Sequence, residues 1–559
     1  MRASVLLLTL LLGTAAHAQE PRFADDLDVE LVNVDVVAEG EDGAPVPDLA
    51  AEDFEVLDGG EPVRITHFAA GGSETQAAPL HLVLLFDDAQ IQPFERSSAY
   101  AGIARQLERL LGAADRVLVA RLGSGLQIVQ PFTSDPALLA AALKRLEQEP
   151  PGVPSDVAAR KAVLDEIRAG DAPGANALGS APVVGSQMQS NAELAAGTSL
   201  TSVRAYAERR RAEVLQSLVS LDRLVSALAG LPGRKAVLLV SPGFDLRPGE
   251  GVYRTWLEKY RATRAARGSG TVDFELPGLD LRTVLRDLAA GASANRVAVY
   301  ATAPAGGGTA RPDPRNVGGS AVQAETGAGE SLHLLTQGTG GTAVFSLEGI
   351  ERLAGELESD LRHHYSLAYP APQSSSQGGD GAWHPLEVRA RRPGVRLRGP
   401  AGYRAKTADQ RTQERAAAAL LLDVSENPLD VRVDLAEGKR ERDGTWTVPV
   451  TVKIPLAKLM LLPQGSEHQG RLAIFLLTQG DTGSASGNKL EAPVRIANSQ
   501  MVAAMGQTGA FATSVRVRSG AWRLAVAVRD DVAGVESAVS LDFKVAEPAG
   551  KKGKGKDAS

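Results

Sequence analysis

The chain has 559 residues, 43% of them hydrophobic and 23% charged, with no cysteine and a formal charge of -7. This composition suits a folded protein of about three domains and excludes disorder of the whole chain. It also excludes disulfides, thiolate metal sites and a cysteine nucleophile, and net acidity disfavours nucleic-acid partners, whose binding rests on phosphate neutralisation.

At the N-terminus, Met1-Arg2 supplies a positive charge, Val5 to Leu12 is apolar apart from Thr9, and Ala16-His17-Ala18 has the small-residue pattern of a cleavage site. Residues 1–18 therefore read as a secretory signal peptide cut after Ala18, with a secreted or periplasmic destination. The apolar run is too short to cross a bilayer, and no later stretch reaches 18 apolar residues, so no membrane span is expected.

Residues 19–78 read as a β segment. Val29, Leu31, Val34 and Val36 lie in a β-rich run, and Asp58-Gly59-Gly60 separates two strand-like stretches as a hairpin turn. Residues 79–362 alternate strand and helix signals. Leu82 to Phe86 is a continuous apolar run, the mark of a strand buried on both faces. Ile103, Leu107, Leu110 and Leu111 form a helical stripe. Val117 to Ala120 is the next strand, and Ile128-Val129 lies in a third. Asp135-Pro136 opens a helix with Asp as cap and Pro in the first turn. Val237 to Val240, Val297 to Tyr300 and Ala343 to Phe345 continue the strands, with helical stripes between and after them. This alternation implies an α/β fold with a doubly wound, mostly parallel sheet. Residues 150–200, rich in Pro, Gly, Ala and Ser, and the Gly-rich 303–328 read as long loops.

From residue 363 the period changes to two. Tyr365, Leu367 and Tyr369, then Leu386, Val388 and Ala390, predict a β hairpin over 363–405 that completes the N-terminal β domain, so that the α/β unit is inserted between β segments. Residues 406–427 read as a connector. Residues 428–546 carry further strand patterns and predict a C-terminal β-sandwich, with Pro449 pointing to an edge strand. Residues 547–559 form a Lys/Gly tail expected to be disordered.

In an open parallel sheet, ligands bind at the carboxyl ends of the strands. The first such strand ends Leu85-Phe86-Asp87-Asp88-Ala89-Gln90-Ile91. Here the chain resembles a von Willebrand factor type A domain, and more closely the secreted, acidobacterial-type VWFA-related family. The resemblance rests on Val34-Asp35-Val36-Val37, on Glu52 to Gly59, on Leu84 to Asp88 and on Asp115-Arg116-Val117. It continues through Gly123 to Leu126, Phe132 to Asp135, His364 to Tyr369 and Gly402-Tyr403, in that order along residues 34–403. The last 150 or so residues lie outside it.

The resemblance implies a metal-ion-dependent adhesion site built from Asp-x-Ser-x-Ser, a threonine and a further aspartate, a hard oxygen set suited to Mg²⁺. Asp87 matches the first aspartate, but Ala89 and Ile91 stand at the serine positions and Pro242 at the second aspartate. Thr198 or Thr201 aligns loosely with the threonine. The site therefore reads as degenerate, and no cofactor is expected. A rearranged Mg²⁺ or Ca²⁺ site from Asp87, Asp88, Gln90 and Asp245 is the alternative, weighed against Asp87 and Asp88 as caps of backbone amides. The histidines are scattered or on strands, where adjacent His363 and His364 point to opposite faces, so no zinc site is expected. No nucleophile elbow or P-loop is present.

The expected function is therefore an exported, non-catalytic interaction module of adhesion type. It would bind a protein partner through Asp87, Asp88, Gln90, Thr198 and Thr201 without a complete metal site. A cation-dependent adhesion domain using Asp87 with Asp88 or Asp245 is the first alternative, and an envelope hydrolase the second.

Overall fold

The computed structural model describes residues 31–70, 80–91, 93–114, 116–149, 156–169, 185–261, 278–304, 328–345, 349–371, 381–480 and 485–545. The signal-peptide segment, most of 303–328 and the Lys/Gly tail lie outside these residues. The described chain is mixed α/β, with several sheets that are mostly antiparallel and one mixed sheet with parallel strands.

The mixed sheet has six strands. Leu80–Asp87 lies between Arg116–Leu122 and Arg234–Val240, parallel to both. Val297–Thr302 and Ala343–Val344 extend the parallel array on one side. Leu126–Thr133 closes the other side antiparallel. Its central strand is apolar on both faces because both are covered. Val83 and Leu85 enter one core with Leu218, Leu221 and Leu285, from helices Gly185–Ala229 and Arg282–Ala294. Leu82, Leu84 and Phe86 enter a second core with Ile103, Leu143 and Leu357, from helices Pro93–Arg105, Pro136–Gln148 and Gly349–Arg362.

The strands on either side of this unit pair with each other. Leu31–Glu39 runs antiparallel to His364–Pro370, with Val34 opposite Leu367. Phe54–Asp58 runs antiparallel to Trp383–Ala390, with Val56 opposite Val388. The two resulting four-stranded sheets share a core of Val34, Val36, Phe54, Tyr365, Tyr369 and Leu386. The hydroxyls of Tyr369 and Tyr403 both donate to Asp58 Oδ2, at 2.9 and 2.8 Å.

The C-terminal region folds as two packed sheets around Val450, Val452, Ile474, Leu476, Leu524 and Val526. Pro449 does not mark an edge. Its strand, Trp446–Pro455, pairs along its whole length with Thr508–Val517, and on the other side with Arg432–Leu435 and Lys439–Arg440. The carbonyl of Pro449 accepts from Ala436 N–H, in the gap between those two short strands. The proline lacks only the reciprocal N–H of that pair, at a point where the neighbouring strands are broken.

Between these regions, Ala408–Leu422 is a helix with a reciprocal N-terminal cap: Gln410 N–H donates to Thr407 Oγ1, and Thr407 N–H to Gln410 Oε1. Ala418 and Leu422 pack into the α/β core, while Ala416, Ala419 and Leu420 pack on Ala473, Phe475, Ala525 and Ala527 of the sandwich. The segment read as a connector is thus buried on both sides. The expected loop at 150–200 is also corrected: Asp156–Ala169 is helical, and Gly185–Ala229 is one helix of 45 residues.

Candidate functional site

The carboxyl end of Leu80–Asp87 sits where the sheet order reverses, its two neighbours being reached by chain running in opposite directions across the sheet. This is where open α/β sheets hold ligands. Immediately beyond it the chain turns, with Gln90 N–H and Ile91 N–H donating to Asp87 O at 3.0 and 2.9 Å. Asp87 is 0% exposed. Ser241 Oγ donates to Asp87 Oδ2 at 2.7 Å and accepts from Gly243 N–H at 3.0 Å. Among the described residues, Asp87 Oδ1 is buried with no hydrogen-bond partner. Burial pushes the Asp87 carboxyl up to about 7, although the Ser241 bond and the Arg210 charge pull it down. At neutral pH Asp87 is therefore close to half protonated and held inward, against the sheet.

Asp88 is engaged elsewhere. Arg96 reaches it with two nitrogens, Nε to Oδ1 at 3.3 Å and Nη2 to Oδ2 at 2.9 Å. Tyr100 Oη donates to Oδ1 at 2.5 Å, and Arg121 Nη1 lies 3.8 Å from Oδ2. Among the described residues the Asp88 carboxylate is thus held by side chains and not by backbone amides; it is the buried anchor of the following helix. Its partners were not identified from the sequence, although Arg96 and Tyr100, four residues apart, share one helix face. Ile91, at a serine position of the resembling motif, is 1% exposed and part of the apolar core. Gln90 Oε1 accepts from Arg210 Nη2 of the long helix.

The other expected site residues have partners of their own. Asp245 is half-buried, and its Oδ1 accepts from Arg247 N–H at 3.1 Å. Thr198 and Thr201 are exposed on the long helix, their hydroxyls donating to the carbonyls of Leu194 and Gly197 one turn back. Arg210, the residue of that helix that meets Gln90, is nine positions beyond Thr201, or about 14 Å along the axis. Neither threonine is brought to the aspartate. Among the described residues, no group of three or more His, Asp or Glu comes together as a metal site.

Above the sheet edge stands a helical lobe, built in part from the 150–200 stretch expected to be a loop. Ala196, Leu200, Val203 and Tyr206 of the long helix pack with Ile167 and with Val252, Tyr253, Trp256 and Tyr260 of helix Glu250–Tyr260. Trp256 is 0% exposed, its Nε1 donating to Ala196 O at 3.1 Å. Glu250–Tyr260 starts hard against the long helix: Gly249 has φ of +85°, and a Cβ there would lie 2.5 Å from Ala207 Cβ. Only glycine fits both conditions. The lobe presents Leu194, 72% exposed, and Arg209 and Arg254, whose side chains are 51% and 56% exposed.

No family model and no curated protein matches this chain. Among solved structures it is similar to the conserved hypothetical protein BatB from Bacteroides thetaiotaomicron, at 12% identity and a TM-score of 0.21, over 50% of this chain and 98% of that one. It is similar also to the pilus adhesin SpaC from Lactobacillus rhamnosus GG in its open conformation, at 9% identity and a TM-score of 0.25, over 86% of this chain and 57% of that one. At these scores the likenesses carry no argument about function. No helix among the described residues is long and apolar enough to cross a membrane.

Proposed function

We propose that this chain is an exported, non-catalytic protein-interaction module of adhesion type. Its α/β unit is read as a doubly wound, type A-like domain that meets a protein partner at the carboxyl edge of the sheet by surface contact, without a bridging cation. The observation that carries this reading is the closure of the strand end. Asp87 bonds inward to Ser241, Asp88 is consumed by Arg96 and Tyr100, and Ile91 lies in the core. The recognition surface then falls to the helical lobe above, where Thr198 and Thr201 are exposed beside Leu194.

One observation favours the cation-dependent alternative: among the described residues, Asp87 Oδ1 is left without a hydrogen-bond partner.

The test is a partner captured from the envelope fraction and then measured against Leu194→Asp and Arg209→Glu. Both change exposed lobe side chains, so melting temperature stays constant. The reading expects affinity to fall about tenfold or more, as at a desolvated contact. Unchanged affinity in both variants would move recognition away from the lobe, to the C-terminal sandwich.

A further inference from the structure

The C-terminal sandwich is closed at one end by two connections that cross between its sheets. Residues 456–466 lead from Trp446–Pro455 to Glu467–Gly480, and residues 498–507 lead from Ala485–Ala497 back to Thr508–Val517. Both lie at the same end, since Pro455 pairs with Thr508 and Glu467 with Ala497. Backbone bonds join them into one cap: Asn498 N–H donates to Ser466 O at 2.9 Å, and Leu456 N–H to Gln507 O at 3.0 Å. Asn498 Nδ2 adds a bond to Gly465 O at 3.1 Å. Leu459 and Ala504 point inward and are buried in the sandwich core.

The outer side of this cap is more apolar than closing a core requires. Val502 is 91% exposed, Leu462 55% and Met460 51%. No charged residue occurs in 459–466 or in 496–515, in a chain that is 23% charged. Three of the five methionines, Met460, Met501 and Met505, fall in the cap, and methionine adapts its shape to irregular apolar surroundings. Each uncharged stretch is entered by a cation, Lys458 and Arg495. Both are exposed, and among the described residues neither forms an ion pair. The nearby acids do not offset them. Glu467 is half-buried and accepts from Gln469 Nε2 at 3.4 Å. Asp530 is buried and accepts from Met460 N–H at 2.7 Å, and Asp531 is paired with Arg471 and Arg529.

We propose that this cap docks on an anionic lipid surface, with Met460, Leu462 and Val502 entering the acyl boundary and Lys458 and Arg495 meeting the headgroups. Protruding apolar side chains flanked by cations are the pattern of interfacial attachment. A stable protein interface needs about 800 Å² on each side, and charged groups at its rim to fix register. Three protruding side chains on a charge-free cap supply neither. A bilayer imposes no register and accepts side chains singly, each gaining its own transfer from water. The cap is separate from the helical lobe and from the function proposed for it.

The experiment uses the absence of cysteine from the chain. A polarity-sensitive dye is attached to the full chain at Val502→Cys, and in a second preparation at Leu138→Cys, 47% exposed on helix Pro136–Gln148 of the α/β unit. Each is titrated with vesicles of phosphatidylcholine alone and of phosphatidylcholine with phosphatidylglycerol. The expected result is a saturable blue shift at 502, stronger with the anionic vesicles, and none at 138. Attraction through the apolar residues 5–12 or the lysines at 551–556 does not by itself move a dye at 502. In the Val502→Cys background, Leu462→Asp should raise the half-saturating lipid concentration about tenfold and Lys458→Glu about fivefold. Both change exposed side chains, so melting temperature stays constant. No shift at 502, an equal shift at 138, an equal response to the two vesicle compositions, or titrations unchanged in both variants would overturn the proposal. So would a shift at 502 without lipid, produced by raising the protein concentration or by adding delipidated envelope protein, which would assign the cap to a second copy or to a protein partner.

Discussion

Asp87 and Asp88 are adjacent carboxylates with opposite fates, and the difference comes from what stands beside each. Asp88 has Arg96 and Arg121, so its charge is matched within the fold. Asp87 has one hydroxyl, the Gln90 N–H and the more distant Arg210, so burial dominates and its proton is retained to about pH 7. This has a consequence for stability. Between the unfolded value near 3.8 and the folded value of about 7, the folded chain holds a proton that the unfolded chain has lost. The stability contributed by protonated Asp87 is thus complete below about pH 4 and is lost as pH rises towards 7, by up to about 4 kcal/mol. Asp87→Asn cannot ionise and keeps the shape. Urea unfolding at a series of pH values should show the variant gaining on the wild type steadily from pH 4 to 7 and then levelling. A difference that does not change with pH would mean that Asp87 is ionised throughout. The match of Asp87 to a metal-site aspartate was legible in the sequence, as was the loss of the two serines. The engagement of Asp88 by Arg96 and Arg121 was not, because Arg121 comes from a separate strand and nothing local links it to Asp88.

Elements were legible where one local signal sufficed. Leu82 to Phe86 is the interior of Leu80–Asp87, and Asp135 caps Pro136–Gln148, its Oδ1 accepting from Ala137 N–H at 2.8 Å. They were misread where distant partners decide. The Ala-, Ser- and Gly-rich stretch at 185–200 reads as a loop, yet alanine is also the best helix former, and Trp256, some sixty residues on, supplies the apolar surface that holds it. Pro449 misled for a similar reason, since the break in the strand opposite lies in another part of the chain. Ala408–Leu422 is the element on which the relation of the two halves depends. Gly230, just past the long helix, lies so close to it that a Cβ would sit 2.2 Å from Glu414 O. Gly230→Val should push the two helices apart, at about 1–3 kcal/mol. Calorimetry should then show the sandwich unfolding separately from the α/β unit, against a single transition expected for the wild type. A single, unshifted transition would show that this helix does not couple them.

Across the whole molecule, two β regions flank an α/β unit whose sheet has a distinct use at each edge. The starts of the parallel strands are fastened to the β domain through Asp35, Arg234 and Arg296. The carboxyl ends carry a closed aspartate beneath a helical lobe. Strand alternation made the α/β class readable, and the return to period two at residue 363 made the pairing of 28–68 with 363–405 arguable, because hairpin strands need a partner. The lobe was beyond reach, since its core is assembled from three helices distant in the chain, two of them separated by the strand Arg234–Val240 of the central sheet. Contact at the carboxyl edge is proposed to proceed without a cation. Calorimetric titration of the wild type and of Asp87→Ala with Mg²⁺ and Ca²⁺ tests it most directly. No saturable binding tighter than about 1 mM is predicted for either protein; tighter binding by the wild type, abolished in Asp87→Ala, would contradict it.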